Sequence, residues 1–387
     1  MRIAYISDTF VPETNGIVTA IVRHARGLRE RGHKVLVLCP RYERETPADE
    51  PDTVDRFAAI SPRSNPETRM SFAGPGTIAR RLRAFGPDIV HVHTPLTLGV
   101  AGVIAARRLG VPLVQTYHSY VPGFMQYANP LRLLGYRRPA RVDGASGLAW
   151  ILTRAIYGRS DLVLTPSDAL SDLLRAHGVT VPIVTQTNGI DLAEFPPKTD
   201  WSLRRRVIHC GRLGWEKNAE VILAAFARFS ADHPGWELHV LGEGPALPFL
   251  HARMQELGIA DRVRLEGFVS RAHLAESYRE ADIYATASTI ETQGLVVLEA
   301  MASGTPVVGV NALAVPEMVS DGLHGIMVQP SDAAGMAAGL ASLADDDALR
   351  ETMGRAGVGR ATEHDLERAI GHLERTYEHL LAERRHD

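Results

Sequence analysis

Two cysteines in 387 residues, Cys39 and Cys210, are too few for a disulfide framework, and both close strand-like apolar runs, so they read as reduced core residues. The opening residues, MRIAYISDTF, lack the charged-then-apolar order of a secretory signal and carry an acid by Asp8, which leads to the expectation of a cytoplasmic protein. Long apolar runs are missing as well: the least polar stretch, Ile89 to Ala106, is broken by His91, His93, Thr94 and Pro95. A membrane role would then be peripheral, at the inner face. Nor is there an excess of positive charge. Lys and Arg number 42 against 45 Asp and Glu, a formal net of −3, which excludes a generally basic nucleic-acid binder.

What is present is unevenly placed. Residues 1–195 hold 23 basic and 17 acidic side chains, a net of +6, so the remainder carries −9. Residues 70–160 contain eleven Arg and two acids, Asp88 and Asp143, and this local +9 points to an anionic partner. Arg80, Arg81 and Arg83 fall in one helical stretch and Arg107 and Arg108 end another. Arg132, Arg137, Arg138 and Arg141 surround Leu131, Leu133, Leu134 and Tyr136, a mixture suited to an anionic bilayer surface; a solvated Arg-rich face and a cleft for a soluble phosphorylated acceptor are the alternatives.

Short β-branched runs alternate with helical patterns along the chain, the sequence form of stacked βαβ units with parallel sheets. The first half offers strands at Ile3–Ser7, Lys34–Cys39, Asp88–His93, Leu113–Tyr117, Leu162–Thr165 and Pro182–Thr185, with a helix over Ile17–Arg31 stopped by Gly32. Periodicity fails from Gln186 to Asp200, where Asn188-Gly189 and Pro196-Pro197 lie. This places a first domain at 1–187, a linker at 188–200 and a second domain at 201–387. The pattern restarts with strands at Arg206–Cys210, Glu237–Leu241, Val263–Glu266, Asp282–Ala285 and Pro306–Val310. Helices are predicted near Asn218–Asp232, Arg271–Glu280 and Leu295–Ala302, and Ser331–Arg385 reads as helical throughout. Two Rossmann-like halves of similar size imply ligands at strand carboxyl ends, facing a cleft between them.

The candidate chemistry gathers at those ends. No G-x-G-x-x-G follows the first strand, so a conventional nicotinamide or flavin site is not expected; Asn15-Gly16 opens the first helix, where a glycine lets a phosphate approach free amides. His91 and His93 share a strand face beside Thr94, and His118 closes the next strand. Three such histidines have zinc-competent spacing, but no Cys or carboxylate cluster completes the set; the alternative makes His118 a hydrogen-bonding residue facing the cleft, with His91 and His93 in support. In the second half Arg212 and Lys217 occupy the loop after a strand, where two cations can hold a pyrophosphate without a metal. The segment is not a Walker loop. Glu291 precedes a helix and Glu299 lies more than one turn inside it, too far apart for a close acid–base pair. They can instead grip different parts of an extended ligand, with the amides of Gly294, Leu295 and Val296 offered to its phosphates.

In their order along the chain, Pro12-x-x-Asn15-Gly16, His91-x-His93-x-Pro95, Thr116-Tyr-His118, Asn188-Gly-Ile-Asp191, Gly211-Arg-Leu-x-x-Glu-Lys217-Asn, Gly242-Glu-Gly-Pro, Gly267-Phe-Val269 and Glu291-(seven residues)-Glu299 resemble the retaining glycosyltransferases of family 4. That family has the GT-B fold, two Rossmann-like domains. The resemblance implies that Gly16, with Asn15 and Thr94, would lie on the acceptor side and against the donor diphosphate, and that His118 would meet the transferred sugar near its C6 hydroxyl. Arg212 and Lys217 would neutralise the diphosphate, Glu291 would bind sugar hydroxyls and Glu299 the ribose. Gly267, Phe268 and Val269 would pack by the nucleobase. It also implies a hexose taken from a nucleotide sugar, UDP-linked ahead of GDP-mannose, no metal or other cofactor, and a hydroxyl acceptor. One departure is Gln293, where the family often has Phe; the surrounding Glu-Thr-Gln-Gly-Leu is similar to bacterial diacylglycerol glucosyltransferases and points to a membrane lipid acceptor. The rivals are a nucleotide-sugar 2-epimerase of similar fold and a non-catalytic sugar-binding protein.

Overall fold

The computed structural model describes residues 1–42, 54–61, 69–120 and 143–385, and they form two compact units. Among the described residues, those up to Gly189 and from Leu366 onward form the first unit, and Ile190–Asp365 form the second. Arg132, Arg137, Arg138 and Arg141, with their Leu and Tyr neighbours, lie outside the described residues.

In the first unit, strands β1 (Arg2–Ile6), β2 (Lys34–Pro40), β3 (Val54–Phe57), β6 (Ile89–Val92), β7 (Leu113–Thr116), β8 (Leu162–Thr165) and β9 (Ile183–Thr185) make a sheet ordered 3-2-1-6-7-8-9. Every pairing in it is parallel. Two short strands, β4 (Ala59–Ile60) and β5 (Met70–Ser71), pair antiparallel beside it. The two-residue alternation of a strand sends Ile3 and Tyr5 into one core with Ile21 and Leu28 of helix α1 (Gly16–Glu30), and Ala4 and Ile6 into the other. That second core includes Ile78 of α2 (Pro75–Phe85) and Leu98 of α3 (Thr97–Leu109). Helices α4 (Asp143–Tyr157) and α5 (Asp168–Ala176) complete the βαβ crossovers.

The second unit repeats the plan with six parallel strands ordered 12-11-10-13-14-15: β10 (Arg206–Cys210), β11 (Glu237–Leu241), β12 (Val263–Gly267), β13 (Ile283–Ala285), β14 (Val307–Val310) and β15 (Gly325–Val328). Its helices are α6 (Ala219–Asp232), α7 (Leu247–Glu256), α8 (Arg271–Glu280), α9 (Leu295–Ala302), α10 (Val315–Met318), α11 (Ala333–Asp345) and α12 (Asp347–Thr362). Strands β3 and β15 and helix α7 are additions to the sequence reading.

One expectation is corrected. The second domain does not extend to residue 387, because α13 (Leu366–Glu383) packs in the first unit, where Ile370, Leu373, Tyr377 and Leu380 join the core of Ile3, Tyr5 and Ile21. The approach to α1 is close: a Cβ at Gly27 would stand 2.2 Å from Ile370 Cδ1. The segment Ser331–Arg385 is correspondingly three helices, with breaks at Asp346 and at Glu363–Asp365.

In both sheets the strand order reverses beside the unit's first strand, between β1 and β6 and between β10 and β13. Loops leaving carboxyl ends at such a point diverge and leave room for a ligand.

Candidate active site

In the second unit, β10 ends at Cys210 and the chain turns through Gly211 into Arg212, Leu213 and a single 3-10 turn, Trp215–Lys217. The turn is held backbone to backbone against Gly242-Glu-Gly244. Leu213 N donates to Glu243 O at 2.8 Å, and a Cβ on Gly242, at φ 129°, would fall 2.0 Å from Gly211 O. Only glycine admits this approach. Asn218 then ties the loop to the end of β13, its Nδ2 donating to Ala287 O at 3.1 Å.

This brings Lys217 to Glu291. Lys217 Nζ donates to Glu291 Oε1 at 2.5 Å, with the side chains 20% and 10% exposed. Burial pushes the Glu291 carboxyl up, but the charge and hydrogen bond of Lys217 outweigh it and hold the group below the ordinary carboxylate range. The ring of His209 is buried in β10 with Nδ1 on Ala285 O at 2.9 Å, and burial lowers its pKa to about 4. Arg212 reaches the buried Glu216 at 3.5 Å and is itself 40% exposed.

Helix α9 starts beside Glu291. Gly294 caps it with φ 82°, and the first helical bonds run from Val297 and Leu298 back to Gly294 O, so the amides of Leu295 and Val296 precede them at the positive end of the dipole. One turn on, the Glu299 side chain is 4% exposed and its Oε1 accepts from Arg271 Nη1 at 2.9 Å. Arg271 also bonds Glu194 Oε2 at 2.6 Å and lies over the Phe195 ring, 4.8 Å from its centre. At the end of β12, Gly267 has φ 71°, Phe268 is 65% exposed and Val269 packs on the core.

The histidines belong to the first unit. His93 Nδ1 and His118 Nε2 are 3.0 Å apart. His91 stacks on His93 with centroids 4.0 Å apart, and bonds Tyr377 OH through Nδ1 and Thr116 Oγ1 through Nε2, each at 2.6 Å. Burial lowers the His118 pKa to about 3, and the ring is neutral at pH 7. Among the described residues no group of three or more His, Cys, Asp and Glu side chains is placed to hold a metal ion. Asn15 caps α1, its Oδ1 accepting from Val18 N at 3.0 Å, and a Cβ on Gly16 would meet nothing within 4 Å among the described residues. Thr94 is buried and its hydroxyl is engaged by Asp8, donating to Oδ2 at 2.8 Å and accepting from Asp8 N at 2.6 Å. Thr94 therefore supports its loop and does not present its hydroxyl to an acceptor.

Two family models cover nearly all of this: Glycosyltransferase Family 4 over residues 14–194 and Glycosyl transferases group 1 over residues 194–360. The chain is 30% identical to the GDP-mannose-dependent alpha-mannosyltransferase of Mycolicibacterium smegmatis, spanning 85% of this chain and 84% of that protein. The chain belongs to the family 4 glycosyltransferases. It is also 29% identical to the alpha-monoglucosyldiacylglycerol synthase of Streptococcus pneumoniae, over 84% of this chain and 75% of that one. Two solved structures share the fold: sucrose-phosphate synthase from Thermosynechococcus elongatus (TM-score 0.78, 21% identity, 98% and 99% of the chains) and HepE of Anabaena in complex with UDP (0.75, 18%, 98% and 100%). The protein is thus a GT-B hexosyltransferase of the retaining, nucleotide-sugar-dependent kind, and the epimerase reading finds no support among these relatives.

Sequence reasoning missed two residues of this glycosyltransferase. Arg271 binds Glu299 and Glu194 at once, and a signal for it existed, since an Arg at the start of a helix stands at the positive dipole end and needs an acid to justify it. Asp8 is buried and accepts from the amides of Leu96, Leu98 and Gly99, at 3.1, 2.6 and 3.1 Å, at the start of α3. Its partners lie nearly ninety residues away, so nothing local could have shown them.

Proposed function

We propose that this enzyme moves a hexose from a nucleoside-diphosphate donor, UDP-linked ahead of GDP-linked, to a hydroxyl of a membrane lipid, without a metal ion. The observation that carries the reading is the convergence at the β10/β13 switch point of two cations and a helix start with a sunken carboxylate. Arg212, Lys217 and the amides of Leu295 and Val296 supply the positive potential that a departing diphosphate needs. Glu291, kept ionised by Lys217, accepts from sugar hydroxyls; Glu299, steadied by Arg271, accepts from the ribose; Phe268 offers its exposed ring to the base. The C1–O bond to the diphosphate breaks as the acceptor oxygen bonds C1 on the same face, and the acceptor's proton passes to the leaving phosphate oxygen.

The acceptor half of the reading draws on α4. Leu148, Ile151 and Leu152, spaced as one helical stripe, are 55%, 54% and 48% exposed, with Arg154 exposed beside them. Such a stripe suits the interface of an anionic bilayer. No helix among the described residues is long and apolar enough to cross a membrane. The relative from Streptococcus pneumoniae is named for a diacylglycerol product, which agrees in kind.

The test offers the protein UDP-glucose or GDP-mannose with diacylglycerol in anionic vesicles and determines the anomeric configuration of the product. An α-glycolipid from an α-linked donor supports the proposal, with vesicle binding weakened by Ile151→Ser/Leu152→Ser. A β-product, or transfer only to soluble acceptors with no vesicle binding, overturns it.

A further inference from the structure

We infer that His93 is a positioning residue that fixes the tautomer of His118, holding it as an Nδ1–H donor toward its ligand. The step rests on the reading of His118 as the sugar-facing residue. His118 has two ring nitrogens, and Nε2 is taken by His93 Nδ1 at 3.0 Å, which leaves Nδ1 as the nitrogen available to a ligand. Two neutral imidazoles joined in this way allow two arrangements. In one, His93 carries its proton on Nδ1 and donates to His118 Nε2; in the other, His118 carries the proton on Nε2 and His93 carries its own on Nε2.

The surroundings of His93 decide between them. Its Nε2 is buried and meets no hydrogen-bond partner among the described residues. The neighbouring His91 cannot serve it, because both nitrogens of that ring are used by Tyr377 and Thr116. Tyr5 packs at 73° to the His93 ring, with centroids 4.6 Å apart. The second arrangement would bury an orphaned N–H, a rarer and costlier defect than a bare acceptor. The first leaves only a lone pair unpartnered at that nitrogen. It also requires both rings to stay neutral, and burial, followed by the neighbouring histidines for His93 and by His24 for His118, depresses both pKa values. His118 then donates through Nδ1, and the hydroxyl that accepts keeps its own proton for another partner. A sugar carrying an ammonium at that position has no lone pair to offer and is rejected, while one carrying fluorine is tolerated better.

The experiment records long-range 1H–15N correlation spectra of the full-length protein labelled with [15N]histidine, assigned by the loss of signals in His118→Gln and His93→Asn. The expected spectrum shows His118 protonated at Nδ1 and bare at Nε2, with His93 also protonated at Nδ1. Protonation of His118 at Nε2 overturns the proposal. Kinetics supply the second readout. His93→Leu, which removes the donor, is expected to lower kcat/KM by about tenfold, the scale of one hydrogen bond. His93→Asn, whose amide can donate from the place of Nδ1, restores most of that loss at unchanged melting temperature. Equal losses in Leu and Asn, tracking stability, would mean that His93 only packs and would overturn the positioning role. Full turnover in His118→Gln with the expected tautomer would instead remove the reading of His118 as sugar-facing.

Discussion

Replacing Lys217 by Met separates the electrostatic role of the Lys217–Glu291 pair from its packing. The two side chains are 20% and 10% exposed and 2.5 Å apart, so the variant leaves a carboxylate in a poorly hydrated place with its counter-charge gone. Breaking a buried pair in this way costs about 3–5 kcal/mol. For a unit of this size that is roughly a 6–20 °C fall in melting temperature. The sign with pH is the discriminating part. In the native protein the Glu291 carboxyl lies below its ordinary value, so its contribution is present above the unfolded pKa of about 4.3 and is lost as pH falls through the lower folded value. Without Lys217 the burial that pushes the carboxyl up stands unopposed by its chief partner, and the folded value rises above the unfolded one. The contribution then exists at low pH and disappears as pH climbs through the raised value. The deficit should therefore be widest at pH 7–8 and narrow toward pH 5, as read by thermal unfolding across that range. Lys217→Met/Glu291→Gln should recover most of the stability and none of the turnover. A deficit of the same size at pH 5 and pH 8 would refute the reasoning.

Arg212→Ala, which removes a half-exposed cation from the proposed diphosphate site and a 3.5 Å partner from the buried Glu216, should lower turnover by about a hundredfold with a smaller fall in melting temperature than Lys217→Met; near-normal turnover would remove that account of the leaving group. Arg271→Ala should raise the donor KM about tenfold with little change in kcat, because it frees Glu299 to wander in ground state and transition state alike, and steady-state kinetics with the donor varied checks the split. Gly294→Ala places a side chain at φ 82°, costs roughly 1–2 kcal/mol of stability and shifts the amides of Leu295 and Val296, so isothermal titration should show weaker nucleotide binding. His24 and His118 are held neutral by burial at pKa values of about 4 and about 3, so stability present above pH 6.5 is lost as pH falls toward those values, and His24→Gln should flatten that slope in acid unfolding.

How much of this was legible follows from the reach of each signal. Strands Arg206–Cys210 and Glu237–Leu241 and helix Arg271–Glu280 were read to the residue, since an apolar run closed by the next glycine, or a 3.6-residue apolar period, is a signal local to the element. Lys217 and Glu291 were each singled out as ligand-binding charges, but their pairing with each other was not read, because it depends on Asn218 and Gly242 drawing two loops together across seventy residues. The last helix shows the limit in its sharpest form. Its helical character was read, but the face of Ile370, Leu373, Tyr377 and Leu380 that it buries was not, and an apolar face says only that a helix needs a surface, not which unit offers it. The clue lay elsewhere, in Gly27 on α1, whose missing Cβ admits Ile370, and in His91 on β6, whose Nδ1 needs the Tyr377 hydroxyl. That hydroxyl belongs to the same histidine cluster as His118, so the helix that seemed to close the second domain helps set the polar interior of the first. Any truncation that removes α13 as a dispensable tail would on this argument strip a hydrogen-bond partner from His91, two residues from the ring that holds His118.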